Sequence, residues 1–101
     1  MSTQNVTGQF LHGIEIDGKA HTEFEIRPST AGDLFDAEAL IPMKQEMGFQ
    51  AALASRQLVR VGELRAPIQF DRIRKLHPAD LRILFDKQEE VEALGKSAPS
   101  G

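Results

Sequence analysis

Three histidines, His12, His21 and His77, are the side chains to consider first for metal or acid–base chemistry. A metal needs ligands that converge on one point. Strand alternation places His12 and His21 on opposite faces, and His77 stands at a predicted helix cap, so no metal site is expected. The chain has no cysteine, which removes thiolate ligands, thiol nucleophiles and disulfides together. Its serines fall in the leader, at caps and in the tail, without the context a Ser-His-Asp set requires. The carboxylates Glu23/Glu25 and Glu89/Glu90/Glu92 sit on solvent faces of a strand and a helix. Gly8, Gly13 and Gly18 belong to strand ends and a turn, not to a phosphate loop. These residues predict a non-catalytic protein with no cofactor.

Charge narrows the partners. Twelve Lys and Arg stand against fifteen Asp and Glu, giving a net charge of -3. Arg56, Arg60, Arg65, Arg72, Arg74, Lys75 and Arg82 nevertheless share one stretch that holds only Glu63, Asp71 and Asp80. The stretch reads as solvated helix exteriors with local ion pairs, or as a basic patch for an acidic partner segment. Nucleic acid fits it poorly, because the chain is acidic overall and no aromatic ring is interleaved for stacking. No Lys/Arg-led apolar segment opens the chain and no apolar run could cross a bilayer, so an intracellular protein without a membrane partner is expected.

The elements that must hold these residues follow from periodicity. Phe10, His12, Ile14 and Ile16 alternate with polar residues, and so do Ala20, Thr22, Phe24 and Ile26, which predicts a β-hairpin over 10–27. A two-residue Asp17-Gly18 loop would pair Ile16 with Lys19 and set Phe24 opposite Leu11, turning Phe24 and Ile26 away from Ile14 and Ile16. An odd loop with Gly18 left-handed in a bulge keeps all even-numbered residues on one face, and is the reading adopted. Pro28 ends the hairpin, and Thr30 with Asp33 three residues on predicts a capped helix over about 31–41, stopped by Pro42. Further helices are expected at about 45–61, ending at Gly62, at 69–76 and at 78–94. The last has Pro78 at its first position and Asp80 at its third. Met1–Gly8 reads as a flexible leader and 95–101 as a flexible tail, around one α+β domain over 9–94: a hairpin packed on three to four helices. The Leu81–Leu94 stripe is mostly core, but its distal end is expected to run beyond what a short hairpin can cover. Val91 and Leu94, with Arg72 or Arg82 as supporting charges, are therefore the candidate partner contacts.

Three short motifs carry a resemblance. Ile14-Glu15-Ile16-Asp17-Gly18-Lys19, then Ile26-Arg27-Pro28 with Thr30-Ala31-Gly32-Asp33-Leu34, then Lys75-Leu76-His77-Pro78-Ala79-Asp80-Leu81 resemble, in that order, the tail assembly chaperones of Mu-like tailed bacteriophages. The similarity spans Ile14 to Phe85; Met43 to Val61 carries no matching motif. It implies a non-catalytic factor of the host bacterial cytoplasm that coats the long tape measure protein and helps recruit tail tube subunits; self-association is compatible with such a role. Two other classes stay open: a small DNA-associated regulator using the helix pair over 68–94, and a connector that remains in the tail.

Overall fold

The computed structural model describes residues 4–96, and only the backbone of Gly95 and Lys96. Four antiparallel strands form one sheet in the order β1-β2-β3-β4: β1 Val6–Ile16, β2 Lys19–Ile26, β3 Leu58–Val61 and β4 Leu64–Arg65. Helices α1 Ala31–Leu40 and α2 Glu46–Gln57 lie between β2 and β3; α3 Phe70–Arg74 and α4 Pro78–Lys96 follow β4. The class is α+β, as the alternation and caps predict.

The hairpin turn corrects the parity argument. Asp17 and Gly18 both have positive φ, 53° and 80°, and Ile16 pairs with Lys19, so the loop has two residues. The two dihedrals suit the right-handed twist of the strands. The face conflict is resolved elsewhere, between Gln9 and Ile14. There the register shifts, and residues 10–13 of β1 oppose only Thr22 of β2. Beyond that bulge Phe24 pairs with Gly8 and Ile26 with Val6, and Phe10, Ile14, Phe24 and Ile26 all join the core. Phe10 stacks on Phe24 with ring centroids 4.4 Å apart. The bulge also reverses three assignments. His21, expected in solvent, is buried, whereas His12 and Ala20, expected on the core side, are exposed.

The middle of the chain departs further. The helix expected over 45–61 ends at Gln57, and Leu58–Val61 pairs with β2 as a strand. Leu58 and Val61 are buried, and β-branched Val59 and Val61 suit the pleat better than a helix. Gly62 is a left-handed turn residue between β3 and β4, not a helix stop. The leader also contributes structure, because β1 starts at Val6 and Val6 is core.

Helix α4 lies along β1 and reaches β2, with α2 against its side. Its distal half is covered. Eleven residues of β1 reach about 36 Å at 3.3 Å each, and nineteen of α4 about 28 Å at 1.5 Å each, so the strand is long enough. Val91 is accordingly fully buried. The helix runs on through Gly95 to Lys96, so Gly95 does not stop it; the rest of the expected tail lies outside the described residues.

Candidate functional site

Two carboxylates fix the geometry. Asp33 and Thr30 form a reciprocal capping box: the Asp33 amide donates to Thr30 Oγ1 at 3.2 Å, and the Thr30 amide to Asp33 Oδ2 at 2.8 Å. Arg27 donates to both Asp33 oxygens, at 2.7 and 3.1 Å, and to the carbonyls of Pro28 and Arg56. Burial pushes the Asp33 carboxyl up, but the Arg27 guanidinium and the Thr30 donors outweigh it and hold the pKa below its ordinary value. Arg27 is reciprocally raised, first by its hydrogen bond to Asp33. The box thus ties α1 to the end of β2 and to α2.

The second carboxylate is Asp80, in the first turn of α4 and fully buried. Its partners are not in its own helix. Leu11 N–H donates to Oδ1 at 2.6 Å, and His12 and Gly13 donate to Oδ2 at 3.0 and 2.9 Å. The β1 bulge frees these three consecutive amides from the ladder, and Asp80 gathers them. Gly13 makes the turn possible with φ of 83°, and a Cβ there would collide with the His21 carbonyl. Burial raises the Asp80 pKa, yet the Gly13, Leu11 and His12 amides outweigh it and the net shift is downward. Above it, the His12 and His77 rings lie 4.5 Å apart, and His77 Nδ1 accepts from the Ala79 amide as a cap. Sequence reasoning missed this convergence because its signal is a bulge 67 to 69 residues from the carboxylate. Among the described residues, no three His, Asp or Glu side chains are placed to hold a metal.

The distal part of α4 carries a polar network. Gln57 Nε2 donates to the Arg27 carbonyl at 2.8 Å and to Glu92 Oε2 at 2.9 Å, and Gln88 Nε2 donates to Gln57 Oε1 at 2.9 Å. The Ser29 amide also donates to Glu92. Glu92, read from sequence as a solvated exterior residue, therefore helps hold α4 to α2 and to the chain entering α1.

The four candidate partner contacts are not brought together on one face. Val91 is core and cannot touch a partner, while Leu94 is 41% exposed near the helix end. Arg82 is exposed on α4, and Arg72 is half-buried on α3, in a cleft of about 420 Å³ with His12, Glu15 and Lys75. The cationic stretch divides. Arg56 pairs with Asp36, and Arg60 with Glu23 and Glu25. Arg65, Arg72, Arg74, Lys75 and Arg82 have no ion-pair partner among the described residues.

Apart from Leu11 on β1 and Leu94, the exposed large apolar side chains among the described residues lie elsewhere. Leu34, Phe35, Leu40, Met43 and Met47 run along α1 and into α2, with Phe35 70% and Met47 69% exposed. Helix α1 packs chiefly on α2 and buries only Asp33 and Ala37. Ten residues make a marginal helix on their own. The capping box and its arginine hold α1 in place while most of its surface stays open. A large open apolar surface of this kind marks an interaction site more often than a bare exterior.

Comparison with known proteins agrees with a role in assembly. No curated protein and no solved structure matches the chain. One protein-family model, described as tail assembly protein gp41, matches residues 10–100 and so takes in the hairpin, the capping box, the Asp80 lock and α4. On that match the chain belongs to the gp41 tail assembly family of Mu-like phages.

Proposed function

We propose that this tail assembly protein acts without catalysis as a chaperone for the tape measure protein, in the cytoplasm of the host bacterium. The observation that carries this reading is the set of open apolar side chains Leu34, Phe35 and Leu40 on α1, a helix with little packing of its own, continued by Met43 after it and Met47 on α2. A tape measure protein is a long helix-rich chain with apolar stripes that must stay soluble before tube subunits surround it. Two methionines in the surface favour adaptable packing on successive stripes of different shape. Net negative charge keeps a coated complex soluble. Contact with tail tube subunits belongs to the same reading.

Co-expression with the tape measure protein tests it. The tape measure protein should shift from the insoluble to the soluble fraction and co-purify with the wild-type chain. A Met43→Asp/Met47→Asp double variant, changed only at exposed positions, should fold and lose that effect. Unchanged solubility of the tape measure protein with the wild-type chain would refute the proposal.

A further inference from the structure

We infer that the protein associates with a second copy of itself head to tail, α1 of one copy seating in a groove between α2, α3 and α4 of the next. The groove has a volume of about 460 Å³ and an apolar floor that includes Ala51, Phe70, Ile73 and Leu81, with Met47 on one lip and Arg74 on another. Arg74 of α3 stands on its rim, and Arg82 follows Leu81 on α4; neither has an ion-pair partner among the described residues, while Arg72 and Lys75 line the separate cleft with His12 and Glu15. Asp71, Asp80 and Asp86 are the acids near these cations in sequence, and none pairs with them.

Helix α1 is the complement. It carries Asp33, Asp36 and Glu38 and no basic residue. Leu34, Phe35 and Leu40 are exposed along it, so it is an acidic helix with apolar side chains that its own chain leaves uncovered, Phe35 most of all. Phe35 of α1 can enter the apolar floor while Glu38 meets Arg74, unpaired charges of opposite sign that favour this register over its reverse. The two surfaces differ, so one contact leaves each pair with a free α1 at one end and a free groove at the other. Such a heterologous contact propagates into a ring or an open chain. It uses part of the surface assigned above to the tape measure protein, but it is a property of the chain alone and stands or falls without that partner.

Sedimentation velocity of the purified full chain over a wide concentration range tests it. Wild type should show a concentration-dependent rise in mass that weakens as salt is raised. Phe35→Asp alters α1 and Arg74→Glu alters the rim; both sites are exposed, and circular dichroism checks that both variants fold. Each variant alone should be monomeric, with self-affinity down at least tenfold. An equimolar mixture should form a 1:1 complex and nothing larger, because the intact α1 of Arg74→Glu meets the intact groove of Phe35→Asp. A wild type that stays monomeric throughout overturns the inference. So does an Arg74→Glu variant that associates like wild type, or a mixture that forms no complex.

Discussion

Replacing Asp80 with Ala separates a structural lock from an ordinary capping acid. Three backbone amides converge on this carboxylate at 2.6 to 3.0 Å, and its side chain is fully buried. Truncation leaves those donors without an acceptor at about 1–3 kcal/mol each where water is excluded. Leu11 and His12 are exposed residues, so water can reach part of the bulge and the lower end applies. The total is about 3–4 kcal/mol, against about 0.5–1 for loss of a favourable charge at a helix start. With a urea slope of about 1.5 kcal/mol per molar, the midpoint should fall by about 2 M. The chain has no Trp or Tyr, so the transition is followed by far-ultraviolet circular dichroism. Asp71→Asn, at an exposed acid in the first turn of α3, is the control and should shift the midpoint little. The dependence on pH has a definite sign. The Asp80 pKa is lowered on folding, so its stabilisation is complete above the unfolded value of about 3.9 and is lost as pH falls through the folded value. The gap between wild type and Asp80→Ala should therefore be constant from pH 7 to 5 and close below about pH 4. A gap no larger than that of Asp71→Asn, or one that persists unchanged at pH 2, would refute the lock.

Two further substitutions test the geometry. Val91→Glu places a charge where no side-chain surface is exposed, so it should cost several kcal/mol and melt cooperatively at much lower temperature; a midpoint near wild type would mean that α4 is not covered at its distal end. Gly18→Ala has open space around it and should cost only about 1–2 kcal/mol for its positive φ, whereas Gly13→Ala also meets the His21 carbonyl and should cost more; equal urea midpoints for the two would count against the bulge.

Features whose signal is local in sequence were legible. The Thr30–Asp33 box is a four-residue pattern, and the first helix begins where that pattern places it. The core residues Phe10, Ile14, Phe24 and Ile26 follow from strand alternation, although the reason they share a core does not. Parity demanded some irregularity in the hairpin and assigned it to the turn. The chain instead keeps a tight Asp17-Gly18 turn and puts the irregularity in β1, because only there does a carboxylate accept the freed amides. Nothing between Gln9 and Ile14 announces an acceptor on a distant helix. The 58–61 strand was hidden for a related reason. Val59 also fits a helical stripe that continues from Phe49, and pairing with β2 is a long-range choice that periodicity cannot see. Val91 followed from strand length: a hairpin starting at residue 10 would leave it bare, and one starting at Val6 does not, while Leu94 stays exposed.

Most of the motif positions that carry the resemblance build the scaffold. Asp17 and Gly18 make the turn, Thr30 and Asp33 the box, and Asp80 the lock between the first strand and the last helix. Leu34 is the exception, because it closes the second motif and is exposed. The other open apolar residues, Phe35, Leu40, Met43 and Met47, and the groove's Arg74 are not among those key positions. The motifs thus report how α1 is held and where it points, not what it meets. The same box that fixes α1 consumes one of its three carboxylates, and Arg56 engages Asp36, so Glu38 is the acid left to face outward. By spending Asp33 and Asp36 inside its own fold, yet leaving Phe35 and two methionines in water, the scaffold keeps the side chains an assembly partner can bury and neutralises two of the three α1 charges that would hold it off.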